Sequence, residues 1–432
     1  MKVTLTRIDD EKAYGGLLVC PDCFGKKGLK RRIAEIRPEF QLGRCGFHPR
    51  KKGIPVEEVA EILQDVIENN FHQTGYDYEG EPLGELLIDV IYELSATDEN
   101  EVAEAIQEYL IENDRAWPPD GEEPFFQRDV GYDRVEGMYD GRRSSRWNQF
   151  CSIIVNKQRF FNLDAKEALV EIFDGLQMLR NDANLPAVRY LEPAETKIYR
   201  ARVVGDNAAE QRIATDPAVE LGAPPRKLRR AGRMNPSGIR AFYGSFDSKT
   251  CLAEIRPLVG EKVMSAGFQL TRPVLVLDTT VFSGPPRDID IFNRTYNERL
   301  SLWGFMQEFM SEISRPTLPS DEHLDYITTQ VVAEYLVNER LFTFDGKDCA
   351  IEGIMFRSAQ QPDGKNIVLF GAAANVEGVE DQQEEAFWFS EKDSVPALRL
   401  SKEDLSIRLV TGVNISATEY YSEFSAENDG EF

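Results

Sequence analysis

Apolar residues recur with two different periods along the chain, and the change from one period to the other divides it. From Val56 to about Gln177 the spacing is helical: Val56, Val59, Leu63, Val66 and Ile67 share one face, as do Val102, Ile106, Tyr109 and Leu110. A further helix is expected after Asp164 as N-cap, with Leu169, Ile172, Phe173, Leu176 and Leu179 on one side. A linker-like passage over 181–191, with Pro186 and Pro193 in and just beyond it, ends this region. Short β-branched runs then follow at 198–204, 274–278, 353–356, 367–370 and 405–410, interrupted by helical stretches at 297–313 and 321–336. That mixture predicts an α+β domain. The segment 117–146, rich in Pro, Gly and charge, reads as an ordered loop or cover. The first fifty residues combine strand-like starts at 3–6 and 17–19 with glycine punctuation.

The expected organisation is therefore multidomain α+β: a small module over 1–55, a helical domain over 56–185, a mixed α+β domain over 190–415 and an acidic, mobile tail over 416–432. No run approaches the roughly 18 apolar residues of a membrane span, and residues 1–15 lack the apolar centre of a secretory signal, so a cytoplasmic protein without membrane partners is expected. A formal charge of −24 disfavours general binding to nucleic acid, whose phosphates most of the surface would repel. Two stretches reverse that sign. Ten Lys and Arg face three acids between Cys20 and Lys52, and six bases stand with no acid between Leu221 and Phe246.

Within the first basic stretch, Cys20-Pro21-Asp22-Cys23 and Cys45-Gly46-Phe47-His48 form two chelating pairs. A two-residue gap lets one turn offer both ligands to the same ion, and two such turns complete a tetrahedron of three thiolates and an imidazole. With four protein ligands no position is left open for water, so the expected metal is a structural zinc at Cys20, Cys23, Cys45 and His48. The surrounding bases could meet nucleic acid, an acidic partner or the chain's own acids. Cys151, Cys251 and Cys349 lie far apart and read as reduced core thiols.

The second basic stretch opens the densest motif in the chain, Gly232-Arg233-Met234-Asn235-Pro236-Ser237-Gly238-Ile239-Arg240-Ala241-Phe242-Tyr243-Gly244-Ser245. A loop carrying Arg233 leads to a short strand with Tyr243, and Asp247 or Ser248 can cap a helix that puts Glu254 in its last turn. A carboxylate at a helix C-terminus opposes the helix dipole by about 0.3–1 kcal/mol, so it needs a reason to be there. An ion pair with Arg233 or Arg256 is one; a functional role is the other.

Together with Tyr199-Arg200 before it and Gly353-Ile354-Met355-Phe356-Arg357-Ser358 after it, this motif resembles the RES family, named for an Arg, a Glu and a Ser. The amino-terminal half is similar to the HEPN/RES-type region fused to some RES domains. The resemblance implies an ADP-ribosyltransferase-like fold and an NAD-degrading, toxin-like activity that cleaves the nicotinamide–ribose bond by hydrolysis or phosphorolysis. Transfer of ADP-ribose to a protein or nucleic acid, or a non-catalytic zinc-containing binding protein, is the alternative. By position, Arg233, Glu254, Ser358 and Tyr243 are the implied catalytic residues, and Arg200, Arg233, Tyr243 and Ser358 would bind NAD. Inorganic phosphate and an antitoxin or other regulatory protein are the further implied partners. Extra sequence between Arg202 and Gly232, and between Asp278 and Asn297, departs from the family pattern and is expected to reshape the mouth of the pocket. An RNase that pairs an Arg with a nearby His is not expected: His48 follows Arg44 too closely and reads as a metal ligand, while His72 and His323 lack a suitably spaced Arg.

Overall fold

A computed structural model describes residues 16–114, 123–135, 142–287, 289–314, 322–344, 346–379 and 395–413, of which 322–325 in backbone only. The tail expected over 416–432, the strand expected at 3–6 and the His323 side chain lie outside the described residues. The chain forms two compact units, Met1–Gly141 with Asp288–Ser301, and Arg142–Arg287 with Leu302–Phe432. Among the described residues no helix is long and apolar enough to cross a membrane.

In the first unit, β1 (Leu18–Val19), β2 (Gly43–Arg44) and β3 (Lys52–Pro55) form a small antiparallel sheet, with α1 (Lys27–Ile36) between β1 and β2 in sequence. β3 runs directly into α2 (Val56–Asn70), which is followed by β4 (Phe71–Gln73), β5 (Glu85–Leu86), α3 (Leu87–Ser95), α4 (Asn100–Glu112) and β6 (Gly131–Arg134). The apolar faces of α2 and α4 are those read from the sequence: Val56, Val59, Leu63 and Ile67 are buried, as are Val102, Ile106 and Leu110. They share one core with Leu29 and Ile33 of α1 and with Cys20, Cys23 and Cys45. Each fully buried aliphatic contributes roughly 1.5–3 kcal/mol relative to its exposed state, so the cysteine turns and the helices stabilise one another. Residue 55 marks no break in this core. The segment 288–301 belongs to the same unit, where Asp290 pairs with Arg31.

In the second unit, α5 (Arg142–Asn156) and α6 (Leu163–Ile172) precede β7 (Val188–Leu191), β8 (Lys197–Val204), α7 (Asn207–Thr215), α8 (Pro217–Leu221), β9 (Ala241–Ser245), α9 (Ser248–Glu254), β10 (Lys262–Leu270) and β11 (Val274–Asp278). Then come α10 (Tyr296–Ser314), of which the part from Leu302 on belongs to this unit, α11 (Glu322–Asn338), β12 (Leu341–Phe344), β13 (Lys347–Ala350), β14 (Gly353–Arg357), β15 (Lys365–Phe370) and β16 (Leu398–Leu409). Eight strands form one mixed sheet in the order β16-β10-β8-β9-β15-β14-β11-β7, antiparallel except for β11 with β14. Side chains alternate across it as a period of two requires. Leu275, Leu277, Ile354, Phe356, Val368 and Phe370 join a core with α5, α6, α10 and α11, whereas Val274, Val276, Met355, Ile367 and Leu369 join a second core with Ile213 and Leu221 of α7 and α8.

Four local readings change. The segment 117–146, expected as a loop or cover, contains β6 and the first turn of α5 from Arg142. The passage at 188–191 is an edge strand rather than a linker, pairing with β11 from Val188↔Leu277 to Leu191↔Val274. The cap of α6 is Asn162, whose side-chain oxygen accepts from the Ala165 amide at 3.0 Å, two residues before the expected Asp164. That helix also ends at Ile172, because Gly175 adopts a left-handed φ of 80°, although Leu176 and Leu179 still reach the core.

Candidate functional site

The ladder between β8 and β9 consists of one pair, Tyr199 with Ser245, whereas β8 pairs with β10 along its whole length and β9 with β15 through five positions. The sheet opens at this weak join. A cavity of about 490 Å³ lies there, lined by Tyr199 and Arg200 from β8, Tyr243 from β9, Arg233 from the preceding loop, and Glu254 and Arg256 at the end of α9. Four residues singled out in the sequence, Arg200, Arg233, Tyr243 and Glu254, therefore line one cavity. Ser358 contacts it through Glu254.

Glu254 reaches the cavity because α9 is short and sharply bounded. The Asp247 carboxylate accepts from the Thr250 amide at 2.8 Å and from its hydroxyl at 2.6 Å, fixing the start of the helix. Arg256 takes a left-handed φ of 46° just beyond its end, a conformation that costs a non-glycine residue energy and that clusters at functional sites. Glu254 Oε1 accepts from Asn366 Nδ2 at 2.8 Å and from the Ser358 hydroxyl. Asn366 Oδ1 in turn accepts from the Ser245 hydroxyl at 2.7 Å, which orients the amide toward the carboxylate. Ser358 Oγ also accepts from the amides of Gln360 and Gln361, at 3.1 and 3.0 Å. Neutral groups hold this carboxylate, and among the described residues it forms no ion pair with Arg233 or Arg256.

Tyr199, Ser245, Asn366 and Phe356 lie opposite one another across β8, β9, β15 and β14, so the partner of Glu254 is set by strand register. Sequence reading missed Asn366 and Ser245. The available signal was parity: in the run 366–370, Asn366 shares its face with Val368 and Phe370, which puts a buried polar group on a core face. Ser358→Ala removes one hydrogen bond to Glu254 and leaves two amides without their acceptor. A stability loss of roughly 0.5–1.5 kcal/mol is expected, measurable by urea unfolding, and an unchanged midpoint would show that the hydroxyl does not hold the loop.

The cations are positioned differently. Arg200 places its guanidinium 4.9 Å over the Phe242 ring, and its Nη1 is buried with no hydrogen-bond partner. Burial, reinforced by the neighbouring Arg202, pushes its pKa down to about 10. A buried, unpaired guanidinium nitrogen is expensive unless an anion meets it. Arg233 lies 5.1 Å over the Tyr326 ring and donates to the Glu312 carbonyl at 3.4 Å. Its loop is clamped by α11, because Thr329 donates to the Arg233 carbonyl at 2.6 Å and Gln330 to that of Gly232 at 2.8 Å. Gly232 has no alternative here, since a Cβ would stand 2.8 Å from both the Tyr243 hydroxyl and Asn235 Oδ1. The Tyr243 hydroxyl is committed to this loop: it donates to Asn235 at 2.8 Å and accepts from the Met234 amide at 3.0 Å, and burial pushes its pKa up. That leaves its ring, not its proton, for a ligand. Burial likewise pushes the Cys251 thiol in the cavity wall up to about 12, away from nucleophilic chemistry.

In the first unit the four expected metal ligands converge, with all ligand atoms within 4.8 Å of one another. Cys23 Sγ lies 3.5 Å from Cys45 Sγ and 3.4 Å from His48 Nδ1, and Cys45 Sγ lies 3.9 Å from His48 Nδ1. Metal–sulfur bonds of about 2.3 Å at tetrahedral angles place sulfurs roughly 3.8 Å apart, so the set fits one ion. Burial pushes Cys20 and Cys23 up, whereas at Cys45 amide hydrogen bonds from His48 and Phe47 outweigh burial and bring the thiol down to about 7. A cation among the three would favour thiolates throughout. Several of the surrounding bases meet acids of the same unit: Lys30 and Lys51 pair with Asp22, Arg32 with Glu35, and Arg31 with Asp290.

Residues 197–390 match the family model described as the RES domain, a family linked to NAD-related toxin activity. No curated protein matches the chain.

Proposed function

From a chain that carries a RES domain over residues 197–390, we propose that the cavity at the β8–β9 opening binds NAD and breaks its nicotinamide–ribose bond, on an ADP-ribosyltransferase-like fold. The observation that supports this most is a carboxylate held by neutral donors in the same cavity as an arginine with a buried, unpartnered nitrogen. When the C–N bond breaks, its electrons pass to the nicotinamide ring nitrogen, which leaves neutral, and positive charge develops on the ribose. Glu254, with Oε2 not occupied by Asn366 or Ser358, stabilises that charge more than it stabilises the ground state. Arg200 and Arg233 hold the pyrophosphate, and the Tyr243 ring packs against nicotinamide or ribose. Ser358 and Asn366 are positioning residues. Water as acceptor gives ADP-ribose and a proton, while inorganic phosphate gives the sugar phosphate. Transfer to a protein or nucleic acid would use the same first step. Zinc at the four-ligand centre would be structural, and an antitoxin-like regulator would restrain a cytoplasmic activity of this kind.

Incubating the protein with NAD, with and without phosphate, tests the reading: nicotinamide should appear, and the accompanying product identifies the acceptor. No release under any acceptor condition would leave a binding protein as the better description. Arg200→Ala and Arg233→Ala should each weaken NAD binding by about 1.5–3 kcal/mol, the scale of a charge-assisted contact. Calorimetric titration reads this directly, and unchanged affinity in both variants would move the pyrophosphate elsewhere.

A further inference from the structure

A second cavity, of about 610 Å³, adjoins the first at Arg200 and Tyr243, which line both. Part of its wall, Pro224 with Leu228, Arg229, Arg230 and Ala231, comes from the extra sequence between Arg202 and Gly232. Arg200, Arg202, Arg229 and Arg230 face it beside Leu228 and Ile239, and no carboxylate lines it. Two of these arginines already have internal work: Arg202 pairs with Glu220 at 2.7 Å, and Arg229 donates to the carbonyls of Pro224 and Gly238 at 3.1 and 3.4 Å. Arg230 is exposed and has no side-chain partner among the described residues, and Arg200 keeps its buried, unmatched nitrogen.

In a chain of net charge −24, this concentration of cations is a local reversal that an NAD pyrophosphate alone does not require. Arg200 and Arg233 suffice for two phosphate charges. Because Arg200 forms the shared wall, a dinucleotide anchored there with its nicotinamide ribose at Glu254 would extend its adenosine into the second cavity. We propose that this cavity takes an adenosine bearing a further phosphomonoester on its ribose, so that the preferred substrate class is the 2′-phosphorylated dinucleotide, NADP, with Arg230 as the specificity-determining residue. An arginine near the adenosine ribose is the usual means of accommodating that phosphate, and Leu228 and Ile239 supply apolar surface for the base. The substrate assignment rests on the reading above; the anion site does not.

Binding separates the two. The full-length protein is titrated calorimetrically with 2′-phospho-ADP-ribose, with ADP-ribose and with inorganic phosphate alone, and nicotinamide release is measured from NADP and NAD. The 2′-phosphorylated ligand should bind at least about tenfold more tightly than ADP-ribose, the advantage of one charge-assisted contact. In Arg230→Gln that ratio should fall toward one, together with the NADP-to-NAD ratio of kcat/KM, whereas Arg226→Gln, in the same basic run but outside the cavity lining, should keep both ratios. Equal affinities, an advantage that survives Arg230→Gln, or inorganic phosphate binding as tightly as the nucleotide would overturn the proposal. If the binding preference holds but neither dinucleotide is cleaved, the anion site stands and the catalytic reading fails; if NAD is cleaved without any preference, the anion site falls alone.

Discussion

Glu254→Gln should lower nicotinamide release by orders of magnitude while leaving NAD affinity within a few-fold of wild type. The substitution retains the side chain's shape and an oxygen that can accept from Asn366 and Ser358, so only the charge is lost. A group that acts on charge appearing in the transition state affects kcat far more than ground-state binding. Stability supplies an independent readout. Glu254 stands in the last turn of α9, where its charge opposes the helix dipole, and among the described residues it forms no ion pair. Removing the charge should therefore leave the melting temperature unchanged or slightly raised, the trade expected where a functional group is kept at a structural cost. A variant with wild-type turnover and a lowered melting temperature would reduce Glu254 to a structural acceptor.

The lining of that cavity was largely legible in the sequence because its groups are carried by strong local signals. Asp247 announces a helix that must end near Glu254, and the loop motif brings Arg233 next to the strand of Tyr243. What could not be read locally is the relation between distant strands. Asn366 meets Glu254 across 112 residues of sequence, and only the β9–β15 register puts it opposite Ser245. A register is fixed by the whole sheet's alternation, not by any one strand. The arginine-lined cavity was hidden for a related reason: Arg200 and Arg230, thirty residues apart, line one cavity only once the segment between β8 and β9 has folded back beside β8. At the helices, local rules failed where a nearby competitor was better placed, as Asn162 was over Asp164 and as Gly175 was over a continued helix.

The same contrast between local motif and shared core governs the metal centre. From spacing alone, loss of the metal is expected to unfold about the first fifty residues. The packing extends that expectation, because Cys20, Cys23 and Cys45 belong to the core that holds α2, α3 and α4. The Gly25 amide also donates to the carbonyls of Ser95 and Ala96 at the end of α3, and the Val56 amide at the start of α2 donates to that of Leu17. A structural zinc site is worth on the order of 10 kcal/mol in small peptides, comparable to the whole stability of an ordinary domain. A Cys20→Ser, Cys45→Ser double variant should thus lose close to one equivalent of zinc by elemental analysis. It should also lose amide protection in hydrogen exchange along α2 and α4 as well as in α1, while β14 and β15, whose cores are made within the second unit, stay protected. Metal content equal to wild type would refute the ligand assignment. Loss of zinc with protection lost in α1 alone would show that the helices hold their core without the cysteine turns, and that the boundary near residue 55 is energetic even though the packing runs across it.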